Sequence, residues 1–325
     1  MKKVILTGGT GFVGANLARR MLAEGHQVHM LVRPGCMAWR LDSIKEKLAF
    51  HESDLDDRAR LSGIVKEVGP DWIFHLAAHG AYSWQTDADA MVRTNVSGTI
   101  NLLEACLERG FEAFVNTGSS SEYGFKDHAP GESECPEPNS CYAVTKAAGT
   151  DYCRYAARSG NAHVVTLRLY SVYGPYEAPG RLVPALVLNG LKGTLPPLVA
   201  PEVAHDYVYI EDVCDAYLLA ASRGDTQRGA VYNVGTGTQV TMRETVDIVR
   251  NAMRVKTEPQ WGAMQNRVWD TTSWGCDNRL IRRELGWYPR FDFAGGFRKT
   301  AEWFSSHQEL LDFYERKAGE ARQGK

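Results

Sequence analysis

Through the first half of the chain, short runs of β-branched and other apolar residues alternate with stretches whose apolar positions recur at helical spacing. Such runs, bounded by turn signals, read as strands, and strands alternating with helices predict a parallel sheet covered by crossover helices. The strands fall at Lys3 to Thr7, Gln27 to Val32, Leu48 to His51, Trp72 to Ala77, Glu112 to Thr117 and His163 to Leu169. Between them lie amphipathic helices such as Ala15 to Glu24, stopped by Gly25, and Asn95 to Arg109, stopped by Gly110. After Arg168 the rhythm breaks into a Gly/Pro-rich stretch containing Gly174-Pro175, Pro179-Gly180 and Pro196-Pro197. A late strand at Ala230 to Val234 is expected to rejoin the first sheet. Thr241-Met242-Arg243-Glu244 forms a capping box, and the tail from Phe297 onward reads as a surface helix that frays after Ala318. The fold class is therefore α/β: a doubly wound parallel sheet over residues 1–170, with a returning segment near 206–236, and a smaller mixed α/β lobe from 171–205 and 237–325.

The length of 325 residues is enough to bury a sizeable core. Lys and Arg number 37 against 39 Asp and Glu, so the net charge of −2 (37 − 39) offers no footprint for nucleic acid. No run approaches the ~18 apolar residues of a membrane span. The apolar run after Met1 stops at Thr7, short of a secretory h-region. Seven scattered cysteines form no Cys-x-x-Cys and no metal-ligand spacing, which reads as reduced thiols. A cytoplasmic protein with no membrane, nucleic-acid or metal partner is expected.

Gly8, Gly11 and Gly14 lie directly between the first strand and the first helix. A dinucleotide needs this arrangement: one glycine for the tight turn, one for backbone approach to the pyrophosphate, one for close helix-on-strand packing, and a helix N-terminus aimed at the phosphates. An acidic side chain at the end of the second strand would select a free ribose 2′-hydroxyl, whereas an arginine accepts a 2′-phosphate. Here the strand ends Leu31-Val32-Arg33, which favours NADP(H) over NAD(H). Asp54, after the third strand, reads either as a partner of the adenine amino group or as the N-cap of the next helix.

Tyr142 and Lys146 stand four apart on a helix, so both emerge from one face. An ammonium beside a phenol, together with the positive nicotinamide of an oxidised cofactor, favours the phenolate and lets it exchange a proton with a sugar hydroxyl or carbonyl. Gly118-Ser119-Ser120-Ser121-Glu122-Tyr123-Gly124 follows the fifth strand, at the carboxyl edge where open parallel sheets bind ligands. A serine there reads either as a partner of the same substrate oxygen or as a turn hydroxyl satisfying its own backbone.

With these motifs in order, the chain resembles an extended short-chain dehydrogenase/reductase of the nucleotide-sugar epimerase/dehydratase family, built on a Rossmann-type sheet. The likeness runs through Thr7 to Gly14, Asp54-Leu55, His75-Leu76-Ala77-Ala78, Asn95 to Thr99, the serine turn, Tyr142 with Lys146, Arg168 to Pro175, Tyr209 to Val213, Tyr232 to Gly235 and Leu285 to Pro289. The resemblance implies Ser119 as the active-site hydroxyl, Tyr142 as acid/base and Lys146 as its electrostatic partner. It implies a dinucleotide held by Gly8, Thr10, Gly11, Phe12, Val13, Gly14, Arg33, Asp54, Leu55, Leu76, Ala77, Ala78, Asn95, Tyr142 and Lys146. The nucleotide-diphosphate sugar would meet Ser120, Ser121, Glu122, Ser171, His205 and Arg267. A homodimer through a helix bundle is a family expectation. Two departures stand out: Ser171 replaces the usual Asn before Val-Tyr-Gly-Pro, and His205 replaces the usual Arg before Asp-Tyr-Val-Tyr.

The resemblance leaves several reactions open. Dehydratases place an acid pair right after the active-site hydroxyl, but here that pair's Glu position is Ser121 and Glu122 is displaced by one. This favours an NADPH-dependent reductase of a nucleotide 4-keto-6-deoxysugar, followed by a 4-epimerase with retained cofactor and then a 4,6-dehydratase, which a one-residue bulge placing Glu122 would restore. A nonenzymatic NADP-binding regulator is the alternative from another class.

Overall fold

The computed structural model describes residues 1–264 and 273–323. Among these residues, strands and helices follow in chain order: β1 (Lys3–Thr7), α1 (Phe12–Ala23), β2 (Gln27–Val32), β3 (Ala49–Glu52), α2 (Arg58–Val68), β4 (Trp72–His75), α3 (Ala88–Val92), α4 (Gly98–Arg109), β5 (Ala113–Ser119), α5 (Cys141–Ser159), β6 (Val164–Leu169) and β7 (Ser171–Tyr173), then α6 (Leu182–Leu191), β8 (Ala204–His205), β9 (Tyr207–Tyr209), α7 (Ile210–Ser222), β10 (Val231–Val234), β11 (Val240–Thr241), α8 (Met242–Met253), β12 (Ser273–Trp274), α9 (Arg279–Leu285), α10 (Phe293–Ser306) and α11 (Gln308–Gln323).

Seven strands form one parallel sheet in the order β10-β6-β5-β4-β1-β2-β3. The order reverses beside β1, which opens a crevice at the strands' carboxyl ends. Because side chains alternate across a strand, Val4 and Leu6 join the core under α1 and α7, while Ile5 joins the core under α2, α4 and α5. The late strand returns as expected, with Val231 to Val234 registered against Thr166 to Leu169. Smaller sheets, β11-β8-β12 and β7-β9, carry the chain around the crevice. No helix among the described residues is long and apolar enough to cross a membrane.

Three local expectations are corrected. β4 stops at His75, because Leu76 and Ala77 turn across Gly8: a Cβ on Gly8 would lie 2.5 Å from the Ala77 amide nitrogen. The helix expected over Asn95 to Arg109 begins earlier, at α3, and passes through a π-helical turn at Arg93–Ser97 before α4. The tail is two helices rather than one surface helix, and it is partly core: Phe297, Phe304 and Tyr314 are buried, with the Tyr314 ring edge-on to Trp39 and Phe304. Its hydroxyl donates to the Glu177 carbonyl at 2.8 Å. Tyr314→Ala should therefore lower stability by about 3 kcal/mol or more, the usual cost of emptying a buried aromatic site. Urea melting of the variant checks it, and a loss under about 0.5 kcal/mol would mark the tail as surface helix after all.

Candidate active site

The glycine turn fits a dinucleotide's phosphates. The Gly11 amide donates to the Gly8 carbonyl at 3.0 Å, and a Cβ on Gly14 would stand 2.5 Å from that same carbonyl, so α1 lies as close to β1 as backbone allows. Gly11 is the N-cap of α1 and offers no side-chain cap, which leaves the first-turn N–H groups around Phe12 and Val13 for an anion. Thr10 is half-buried in the turn. Arg33 stands exposed just past β2, where a ribose phosphate would be read. Asp54 is not the helix cap. That role belongs to Asp57, whose Oδ1 accepts from the Arg60 amide at 2.9 Å, while Asp54 stays exposed and binds the Asp56 amide. Leu55 is buried under Gly98.

The edge along Leu76, Ala77 and Ala78 is set by a chain of polar side chains that sequence reading missed. Thr99 commits its only proton to the Asn95 carbonyl (2.8 Å), so at His75 Nε2 it must accept (2.9 Å). His75 Nδ1 then accepts from the Thr7 hydroxyl (2.8 Å), whose oxygen in turn accepts the Ala77 amide (3.2 Å). This assigns His75 as the neutral Nε2–H tautomer, and burial pushes it down to about 3. Asn95 clamps the next residue: its amide donates to the His79 carbonyl (2.8 Å) and to Thr145 (2.9 Å), and its oxygen accepts the His79 amide (2.9 Å). The sequence signal was a polar residue inside an otherwise apolar strand, as His75 is in β4.

Ser119 ends β5, and Ser140 caps α5 by accepting from the Ala143 amide (3.2 Å), which sets Tyr142 and Lys146 on the helix's first turns. The Ser119 hydroxyl lies within electrostatic reach of the Tyr142 phenol. Burial pushes Tyr142 up to about 12, against the pull of Ser119 and of the Arg181 charge, and the Glu122 carboxylate adds to the rise. Without a cofactor's charge beside it, desolvation penalises the anion and favours the protonated phenol. Lys146 is only 4% exposed, and burial lowers it from its ordinary value while Glu122 opposes.

Glu122 is the larger correction. It is fully buried (0%), with Oε1 accepting from the Ser119 amide (2.8 Å) and the Thr150 hydroxyl (3.1 Å) and Oε2 from Arg168 Nε (2.8 Å). A side chain so placed does not touch substrate. Arg168, 1% exposed, also lies 4.5 Å over the Tyr123 ring. Ser120 and Ser121 are half-buried, and the Ser119 hydroxyl donates to that of Ser121 at 3.1 Å. The two departures meet: the Ser171 hydroxyl and His205 Nδ1 are 3.4 Å apart, with His205 on β8 beside the Tyr207 ring. Arg267 lies outside the described residues. No disulfide links the seven cysteines, and no metal-binding cluster occurs among the described residues.

Residues 4–235 match the model of the NAD dependent epimerase/dehydratase family. The chain belongs to that family. It is 30% identical to UDP-glucose 4-epimerase of Mycolicibacterium smegmatis over 319 residues, covering 94% of this chain and 100% of the relative. It is 28% identical to dTDP-glucose 4,6-dehydratase of Neisseria meningitidis, covering 94% and 93%. The structure of Thermus thermophilus UDP-glucose 4-epimerase in complex with NAD superposes with a TM-score of 0.81 at 29% identity, covering 94% of this chain and 99% of that one. The protein is therefore an NAD(P)-binding extended short-chain dehydrogenase/reductase, and its relatives are nucleotide-sugar enzymes.

Within this family member, Glu122→Gln should cost about 3 to 5 kcal/mol of stability, since it leaves the Arg168 charge buried and unpaired; a change near zero in urea melting would return Glu122 to the substrate side. His75 titrates with the opposite sign to a paired histidine. Its folded value lies below the unfolded ~6.5, so the unfolded chain binds the extra proton, and stability should fall by about 1.4 kcal/mol per pH unit from pH 6.5 downward. His75→Gln should remove that part of the acid slope, as read from urea midpoints between pH 7 and 5.

Proposed function

We propose that the protein moves a hydride at C4 of a nucleotide-activated sugar without eliminating water, as an NADPH-dependent reductase of a nucleotide 4-keto-6-deoxysugar. The observation carrying this reading is the sequestration of Glu122. Elimination across C5 and C6 needs an acid pair beside the active-site hydroxyl, and the side chains at those places are the half-buried hydroxyls of Ser120 and Ser121. Bound NADPH would supply the hydride. Tyr142, a phenol held near 12, is an acid at neutral pH and suits protonation of a C4 carbonyl oxygen as it becomes an alcohol. Ser119, within electrostatic reach of Tyr142, orients that oxygen, and Lys146 balances the phenolate left behind. Arg33 supports NADP(H), because its exposed guanidinium at the end of β2 suits a 2′-phosphate.

A nucleotide-sugar 4-epimerase with retained cofactor is the second reading, favoured by the full-length match to a UDP-glucose 4-epimerase. A homodimer through the outer face of α5, where Val144 and Tyr155 are 51% and 64% exposed, belongs to either reading. Cofactor and nucleotide released by heat and identified by mass spectrometry, then a screen of UDP-, GDP-, CDP- and dTDP-linked sugars, separate them. Stoichiometric NADPH consumption with a 4-keto sugar supports the reductase; turnover with no net cofactor change supports the epimerase.

Tyr142→Phe should fold, bind cofactor and lose about 10² to 10⁴ in turnover. Near-wild-type turnover on the true substrate would sink the catalytic assignment. Calorimetry should show NADP(H) binding at least about tenfold tighter than NAD(H), with the order reversed in Arg33→Asp; equal wild-type affinities would contradict it.

A further inference from the structure

One stretch of the cleft carries more positive charge than its carboxylates balance. Arg40 lies half-buried between β2 and β3, its carbonyl accepting from Arg19 Nη2 (2.5 Å). Its Nε donates to the Tyr176 carbonyl (2.8 Å), and its Nη1 to the carbonyl of Thr10 inside the glycine turn (3.3 Å). The guanidinium stands 4.4 Å over the Trp39 ring, which packs on Phe313 and Tyr314 of α11. Both ends of this side chain are therefore fixed. Burial lowers Arg40 from its ordinary value, and the carboxylate that opposes the shift is Glu177.

Glu177 is already shared. Its Oε1 pairs with Arg181 at 3.8 Å, and its buried Oε2 has no hydrogen-bond partner. Arg40 and Arg181 thus face one carboxylate, and a third guanidinium, that of Arg19, stands 4.0 Å over the neighbouring Tyr176 ring. A half-buried cation without full counter-charge is costly unless an anion completes it. Tyr82, on the loop after β4, adds a hydroxyl within electrostatic reach of Arg40, Tyr142 and Tyr314. The Thr10 carbonyl that Arg40 holds belongs to the phosphate turn, where the diphosphate of a dinucleotide would lie.

We propose that Arg40, with Tyr82, is a second grip on the diphosphate of the dinucleotide, across from the N-terminus of α1. This rests on the glycine turn being the dinucleotide site. Arg33 is set apart, exposed at the strand end, and is left to the ribose phosphate. Because α11 and Tyr176 immobilise Arg40 in advance, little conformational freedom is lost when phosphate arrives, and the cofactor leaves slowly.

The test is calorimetric titration of the wild type, Arg40→Gln and Tyr82→Phe with NAD⁺, NADP⁺, AMP and UDP. Arg40→Gln should weaken both dinucleotides about ten- to a hundredfold, the worth of a charged hydrogen bond, and leave AMP and UDP unchanged. Tyr82→Phe should weaken both dinucleotides about fivefold, and it carries the test if thermal melting shows Arg40→Gln unfolded. Unchanged dinucleotide affinity in the folded variants overturns the grip. So does a loss confined to NADP⁺, which would place Arg40 on the 2′-phosphate, or a loss confined to UDP, which would place it on the substrate. If the wild type binds neither dinucleotide, the reading of the glycine turn fails and the grip with it.

Discussion

Inside the protein Glu122 accepts hydrogen bonds from the Ser119 amide, the Thr150 hydroxyl and the Arg168 guanidinium, and so ties the end of β5 to α5 and to β6. Those elements carry Ser119 and the Tyr142–Lys146 pair. A carboxylate and a guanidinium this deeply buried are expensive to desolvate, and the cost is met by the ion pair and the further donors on Glu122, although Arg168 Nη1 is left without a partner. The cost falls on one arrangement of three elements, which suits a site where a few tenths of an ångström in the hydroxyl-to-phenol distance matters. Arg168 extends the tie by lying over Tyr123, whose hydroxyl donates to Asn233 on β10 (2.8 Å).

Between β4 and β1 the same task is done without charge. The run from Asn95 through Thr99, His75 and Thr7 to the Ala77 amide fixes the turn that crosses the glycine loop. A neutral histidine can accept at one nitrogen and donate at the other, so a chain of hydroxyls passes through it unbroken. The π-helical turn at Arg93–Ser97 belongs to this device: α5 approaches it so closely that a Cβ on Gly149 would stand 2.8 Å from the Asn95 carbonyl. The Leu76–Ala78 edge and α5 are therefore positioned by one another.

The two departures from the family pattern prove to be neighbours, Ser171 opening β7 and His205 closing β8. Two shorter or less charged side chains replacing an amide and a guanidinium at one spot change the hydrogen bonds available there together. Asp206, next in the chain, is buried under the Thr236 and Gly237 amides, and burial lifts it to about 6.

What the sequence by itself determined is what depends on near neighbours along the chain. Strand and helix periods, the glycine spacing before α1, the Thr241–Glu244 capping box and the four-residue step from Tyr142 to Lys146 are local geometry, and they carried the fold class and the shared helix face of Tyr142 and Lys146. Only the tertiary structure decided which polar groups lose their water. Glu122 reads from sequence as a turn acid facing substrate, yet it meets Arg168 from a different strand, and burial raises Tyr142 against the pull of Ser119 and Arg181. The tail from Phe297 reads as surface, yet Trp39 and Glu177 wait to cover Tyr314. Desolvation is set by whatever packs across from a group, and that partner stands tens to hundreds of residues away in the chain.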